Sequence, residues 1–197
     1  RRKAEGDDEP RRSRALIEGP TLTVTLDATP RWVVLNAGST GFYRVAYSDE
    51  QLDRLADIAI EELEPMERYA LIDDTYAAMV AGRTASPAFL NLIEAMSGES
   101  DRSVWQRIIQ GLRQLDRLVD GGAQEALQDI AHDVLAPALA NLGLRPHDDE
   151  DDRSRQLRGD LVRALGTVAN DPEIQDEARR TVAVGLRNPE LVDPALL

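Results

Sequence analysis

The residues of this chain whose types could do chemistry are few: two histidines, one run of acids and one adjacent aspartate pair. A hydrolytic zinc site needs two imidazoles one helical turn apart, as in H-E-x-x-H. His132 and His147 lack that spacing, and each is followed by Asp. His132 is expected exposed or half-exposed on a helix, and His147 solvated in the loop "RPHDDEDDR". Asp148, Asp149, Glu150, Asp151 and Asp152 could hold Ca²⁺ or Mg²⁺ weakly. An EF-hand loop, however, spaces its ligands around a central glycine, and this run does neither. It reads as a flexible loop ending at a helix N-terminus, where carboxylates sit well on the dipole. Asp73 and Asp74 lie inside a helix, where neighbours point roughly 100° apart, so they are not expected to share a site as an acid/base couple. At least one should make a structural salt bridge or hydrogen bond to a neighbouring helix. No Ser-His-Asp set, phosphate-binding P-loop or dinucleotide fingerprint is present. Gly38 and Gly41 lie too far from a strand–helix junction to bind phosphate and serve a turn that needs positive φ. Trp32 and Trp105 read as core anchors. No catalytic, cofactor-binding or metal-ligating residue is assigned.

The elements that would carry these residues follow from periodicity. Residues 1–19 mix charges with Gly6, Pro10 and Gly19 and read as a linker or tail. "TLTVTLD" (21–27), "WVVLN" (32–36) and "FYRVAY" (42–47) read as three strands, the first a half-buried strand of period two. Three strands make a poor domain alone, so they look like the end of a larger sheet. At Ser48 the period changes. "SDEQ" fits a capping box, and Leu52, Leu55, Ala59 and Leu63 repeat at helical spacing. Pro65 opens a second helix that stops at Gly82. A third runs from Ser86-Pro87 to near Gly98. Trp105, Ile108, Leu112, Leu115 and Val119 stripe a fourth, stopped by Gly121-Gly122. Leu127, Ile130, Val134, Ala138 and Leu142 stripe a fifth, kinked at Pro137. Leu157, Leu161, Leu165 and Val168 mark a sixth. Asp171-Pro172 caps a seventh, striped by Ile174, Ala178, Val182 and Leu186, and Asp193-Pro194 starts an eighth. The expected fold is mainly α: an α-α superhelix or solenoid of seven to eight helices preceded by a few β-strands. The domains read as 1–19 (linker or tail), 20–47 (terminal strands of a β-sandwich) and 48–197 (helical, cut short).

Composition narrows the function classes. The chain has 197 residues and a formal net charge of −13. That excess of acid argues against nucleic acid or an anionic membrane as partner, since both demand a basic footprint. Cysteine is absent, which removes disulfides and thiolate metal sites and suits a reducing cytoplasm. Basic residues are nearly all Arg, which with abundant Ala suggests a GC-rich bacterial genome. A chain that opens on Arg1 rather than Met is expected to be part of a longer protein.

The segments "WVVLNAGSTGFYRVAYSDEQLDRL" and "LEPMERYALIDDTYAAMVAGRTASPAFL" strongly resemble the aminopeptidase N family of zinc metallopeptidases. Asn36, Gly38, Gly41, Tyr43, Arg44, Val45 and Tyr47 match the family pattern N-x-G-x-x-G-[FY]-Y-R-V-x-Y. Pro65, Arg68, Leu71, Asp73, Asp74, Ala81 and Gly82 match its Pro-x-x-Arg-x-x-Leu-x-[DN]-Asp segment. Trp105 matches a tryptophan that opens a later helix, and residues 158–179 resemble the Leu-Gly-x-x-x-Asn-Asp junction. The resemblance implies that residues 36–47 join a β-sandwich to a helical C-terminal domain that closes over the active site. It also implies that the zinc motif and the G-x-M-E-N motif lie upstream. By resemblance the parent enzyme binds zinc and trims peptides, while this chain holds no cofactor and is inactive alone. Its expected partners are the catalytic domain of the same polypeptide and the peptide substrates. The isolated chain could also pair through the strand edge at 21–27. Arg44 is expected to anchor an interface rather than face substrate. A free-standing helical scaffold for protein binding is the alternative reading.

Overall fold

The computed structural model describes residues 1–147, 149–188 and 190. The described chain is mainly helical, with seven α-helices and a two-stranded antiparallel sheet. Strand β1 (Arg2–Ala4) pairs with β2 (Pro30–Val33). The helices are α1 (Asp49–Glu62), α2 (Pro65–Val80), α3 (Ser86–Glu94), α4 (Arg102–Asp116), α5 (Gly121–Leu142), α6 (Asp152–Thr167) and α7 (Pro172–Gly185). The chain divides into two compact units, Arg1–Leu92 and Ile93–Leu197, and the division falls inside α3.

In the first unit the caps do what their sequences dictate. The Gln51 N–H donates to Ser48 Oγ at 3.4 Å and the Ser48 N–H to Gln51 Oε1 at 3.2 Å, a reciprocal capping box. Leu52, Leu55, Ala59 and Leu63 are buried, so the helical stripe of α1 faces the core. Pro65 opens α2, where its missing N–H leaves no orphan. The core also takes Trp32, Val34, Val45, Leu71 and Ile72.

The strand expectations need correction. Residues 21–27 form no strand. Leu22 and Val24 are exposed there, and a strand without a neighbour has nowhere to place its ladder hydrogen bonds. Residues 42–47 form none either: the Val45 N–H is taken by Asp74 Oδ2 at 3.1 Å, a side chain in place of a sheet partner. The strand expected over 32–36 is Pro30–Val33, and it ends before Asn36, whose φ of 51° leaves the extended region. Conversely, the expected tail supplies β1, paired with β2 in the register Arg2↔Val33 and Lys3↔Trp32.

In the second unit α4, α5 and α6 pack on one another and α7 packs on α6. Trp105, Ile108, Leu112, Leu135, Leu161 and Ala164 form its core. Asp101, Asp151 and Asp171 cap α4, α6 and α7 by accepting from backbone N–H groups. Two boundaries differ from expectation. Helix α3 ends at Glu94 rather than near Gly98, and Gly121 lies at the start of α5, with φ of 54°, rather than stopping α4. Helix α5 continues through Pro137. The helix expected at Asp193-Pro194 lies outside the described residues, as does Asp148 of the acidic run.

Candidate functional site

The motif residues of the first unit converge on a single joint between an irregular loop and α2. Asn36 holds the loop shut: its Nδ2 donates to the Gly41 carbonyl at 2.9 Å, and the Gly41 N–H donates to Asn36 Oδ1 at 2.7 Å. The turn between them runs through Gly38 at φ 73°. Gly41 does not share that conformation. Its lack of a side chain leaves room for Tyr43: a Cβ there would stand 2.3 Å from Tyr43 Cε1 and 3.0 Å from Asn36 Oδ1, so the exposed Tyr43 ring would have to move. Asn36 and Ser39 are the other left-handed residues of this turn.

Beyond the turn the chain runs onto α2. The Arg44 guanidinium donates to both Asp73 and Asp74, the latter at 3.1 Å. These two carboxylates therefore share a structural cation, which comes from the loop before α1 rather than from a neighbouring helix as expected. Both bonds come from the one nitrogen Nη1, which stands between the two carboxylates. Asp74 is the more buried of the two and also holds the Val45 N–H through its second oxygen. Hydrogen bonds to Asp73 and Asp74 hold the Arg44 pKa above its ordinary value. Arg44 itself stays 60 % exposed in its side chain.

A small cleft beside this joint is lined by Leu35, Asn36, Tyr47, Glu67, Leu71 and Asp74, among others. The Tyr47 hydroxyl accepts from the Leu35 N–H at 3.0 Å, and burial pushes its pKa up to about 12. Arg68, on the same helix, donates to the Leu63 carbonyl at 2.5 Å and so closes the α1–α2 turn. Phe42 and Tyr43 are exposed.

Trp105 belongs to the second unit. It is fully buried, and its Nε1 donates to the Glu99 carbonyl at 3.0 Å. Glu99 Oε1 accepts from the Ser100 and Asp101 N–H groups, both at 2.7 Å, so Trp105 and Glu99 set the start of α4. Two residues escaped the sequence reading. Arg158 is wholly buried: it forks onto Glu150 and donates to the carbonyls of Gly143 at 2.7 Å and Leu142 at 3.2 Å. Glu150, expected in a flexible acidic loop, is thus fixed against the end of α5, and the Arg158 hydrogen bond holds its carboxyl below the usual carboxylate range. Glu67 is the other, a buried carboxylate in the Pro-x-x-Arg stretch of α2. His132 is half-exposed, with Nε2 3.4 Å from Asp171 Oδ2, and His147 is exposed. Among the described residues no three of His, Cys, Asp or Glu converge as metal ligands would. The joint is built to hold the backbone, and it offers no nucleophile poised beside a base.

A family model described as the ERAP1-like C-terminal domain matches residues 32–197, which contain every residue of this joint. The chain belongs to that family. Among curated proteins, this ERAP1-like C-terminal domain is 33% identical over 153 residues to aminopeptidase M1-A of Oryza sativa subsp. japonica, covering 76% of this chain and 17% of that protein. It is 29% identical to the puromycin-sensitive aminopeptidase of Caenorhabditis elegans, over 83% of this chain and 18% of that protein. The tricorn protease-interacting factor F2 of Thermoplasma volcanium is 29% identical over 70% of the chain and 17% of its own length. The domain thus spans less than a fifth of the length of these relatives. No helix among the described residues is long and apolar enough to cross a membrane.

Proposed function

We propose that this ERAP1-like C-terminal domain serves as the helical C-terminal part of a zinc-dependent aminopeptidase that removes N-terminal residues from peptides. In this reading it supplies no catalytic group; it shapes and closes the chamber in which the rest of the polypeptide acts. The observation that carries it is the match of the chain, from residue 32 onward, to a family of C-terminal domains whose aminopeptidase relatives are about five times longer. The motif joint agrees with such a role. Arg44, Asp73, Asp74 and Asn36 spend their polar groups on one another and on backbone, which fixes the direction in which the chain enters the helices. The zinc and its ligands belong, in this reading, to the remainder of the enzyme, and a cytoplasmic bacterial source suits the absence of cysteine and the arginine-rich composition.

The test compares two proteins: this chain and the complete product of its reading frame. The chain alone should release no product from aminoacyl-p-nitroanilides and should carry no stoichiometric zinc by elemental analysis. The complete protein should do both, and swapping helices α4–α7 for those of a relative should change which peptide lengths it trims. Hydrolysis by the isolated chain with bound zinc would overturn the proposal, as would a length preference indifferent to the swap.

A further inference from the structure

Residues 1–4 lie outside the stretch that the family model matches, yet they are seated on it much as a bound peptide would be. Strand β1 adds to the edge of β2, and the Val34 N–H donates to the Arg1 carbonyl at 2.7 Å. Alternate residues of a strand share a face, so Arg1 and Lys3 point one way and Arg2 the other. Arg1 inserts its guanidinium between Glu67 and the Glu62 carbonyl, 5.4 Å over the centre of the Trp32 ring. Lys3 Nζ reaches Glu62 Oε1 at 2.6 Å. Arg2 reaches the exposed Asp27 at 3.4 Å, and its backbone is bridged to Arg11 on the other side of β1. The Glu67 side chain is completely buried, and its Oε1 has no hydrogen-bond partner among the described residues. Glu67 Oε2 takes both the Arg1 guanidinium and the Glu64 N–H, the latter at 3.2 Å, which leaves Oε1 as the second acceptor an arginine fork can use. Trp32 supplies the aromatic wall that such a cation favours.

We propose that the edge of β2, with Trp32, Glu62 and Glu67, is a receptor for an extended basic segment of the pattern Arg-x-Lys, and that Arg1–Ala4 fills it in cis. Recognition is by strand addition: main-chain bonds hold the segment, and two acidic sockets on one face read alternate side chains. Arg2, between the two, points away from both sockets.

The probe is a pair of acetylated, amidated tetrapeptides of identical composition and charge, Arg-Ala-Lys-Ala and Ala-Arg-Lys-Ala. They are titrated into the full chain carrying Arg1→Ala and Lys3→Ala, with binding read by calorimetry and by the emission of Trp32, one of two tryptophans. Arg-Ala-Lys-Ala should bind saturably and at least about tenfold tighter than its isomer, and Glu67→Gln in the same background should erase that ranking. Equal binding of both peptides would reduce the effect to attraction by a chain of net charge −13 and overturn the proposal. Absence of saturable binding, or a ranking unchanged by Glu67→Gln, would also overturn it. Should the doubly substituted chain fail to fold by circular dichroism, Lys3→Ala alone leaves Arg1 on Glu67. The same ranking is then expected at higher peptide concentration, and its loss counts equally against the proposal.

Discussion

Asn36 and Gly41 are bonded to each other twice, amide to carbonyl in both directions, across a turn of four intervening residues. The pair substitutes a side chain for one strand of a hairpin, so the turn closes without a ladder. Two terms are therefore at stake at Asn36: the two bonds, and a φ of 51° that few side chains accept. Asn36→Ala loses both and should lower stability by about 2 kcal/mol, whereas Asn36→Gly restores the backbone freedom and should cost roughly 1 kcal/mol. Urea unfolding of the two variants gives the comparison. Equal losses would mean that the left-handed backbone is not strained.

The adjacent aspartates should separate by burial. Asp74 satisfies the Val45 N–H as well as Arg44, and Asp73 is the more exposed. Asp74→Ala should cost about 2–3 kcal/mol, since it orphans a buried backbone donor. Asp73→Ala should cost no more than about 1 kcal/mol, the range of exposed ion pairs. Arg44→Ala should fall near the Asp73 value, for its guanidinium is largely solvated. Thermal melts of the three single variants test that order.

Arg158 in the second unit should be far less tolerant. Arg158→Met leaves Glu150 buried without its cation and two carbonyls without donors, for a loss of about 3–5 kcal/mol. Glu150 makes the contact pH-dependent. Its folded carboxyl titrates below the unfolded one, whose ordinary value is 4.5, so the stabilisation is present above that value and fades as pH falls through the folded pKa. Acid titration of stability should therefore be steeper below 4.5 in the parent chain than in a Glu150→Gln variant. Parallel curves would show that the fork carries no linkage.

Tyr47 works in the opposite direction. Its phenol is neutral in the fold up to about pH 12, against 10.0 for an ordinary tyrosine. A raised pKa stabilises below the unfolded value, and that stability is lost as pH climbs from 10.0 toward 12. Absorbance near 295 nm should show one of the four tyrosines ionising last, together with unfolding. Tyr47→Phe should remove this late step and cost about 1 kcal/mol for the acceptor lost to Leu35.

How legible all this was depends on the range of the interaction. Caps and stripes depend on residues three or four apart, and the Ser48 box, Pro65 and the buried faces of α1 and α6 were readable for that reason. Strands depend on partners distant in sequence. "TLTVTLD" carries the right alternation, but alternation specifies a face only when a neighbour covers it, and Leu22 and Val24 have none. The family motif pointed to Asn36, Arg44, Asp73 and Asp74 without revealing that one guanidinium gathers both acids. Arg158 and Glu67 were illegible because burial of a charge is a tertiary fact: nothing local distinguishes Arg158 from the exposed Arg163 one turn and a half further along α6. The basic start of the chain read as a tail because charge density says nothing about acids waiting some 60 residues away.

Helix α7 draws a different consequence from the packing of the second unit. It touches α6, buries only Gly185, and leaves Val182, Val184 and Leu186 open. Cooperativity must therefore decay along the chain. The amides of α4, α5 and α6 should exchange with deuterium only when the whole unit unfolds, while those of α7 escape through openings that cost much less. Helix α7 is thus the part of the second unit expected to open first, and a partner laid against Val182 and Val184 would raise its protection most.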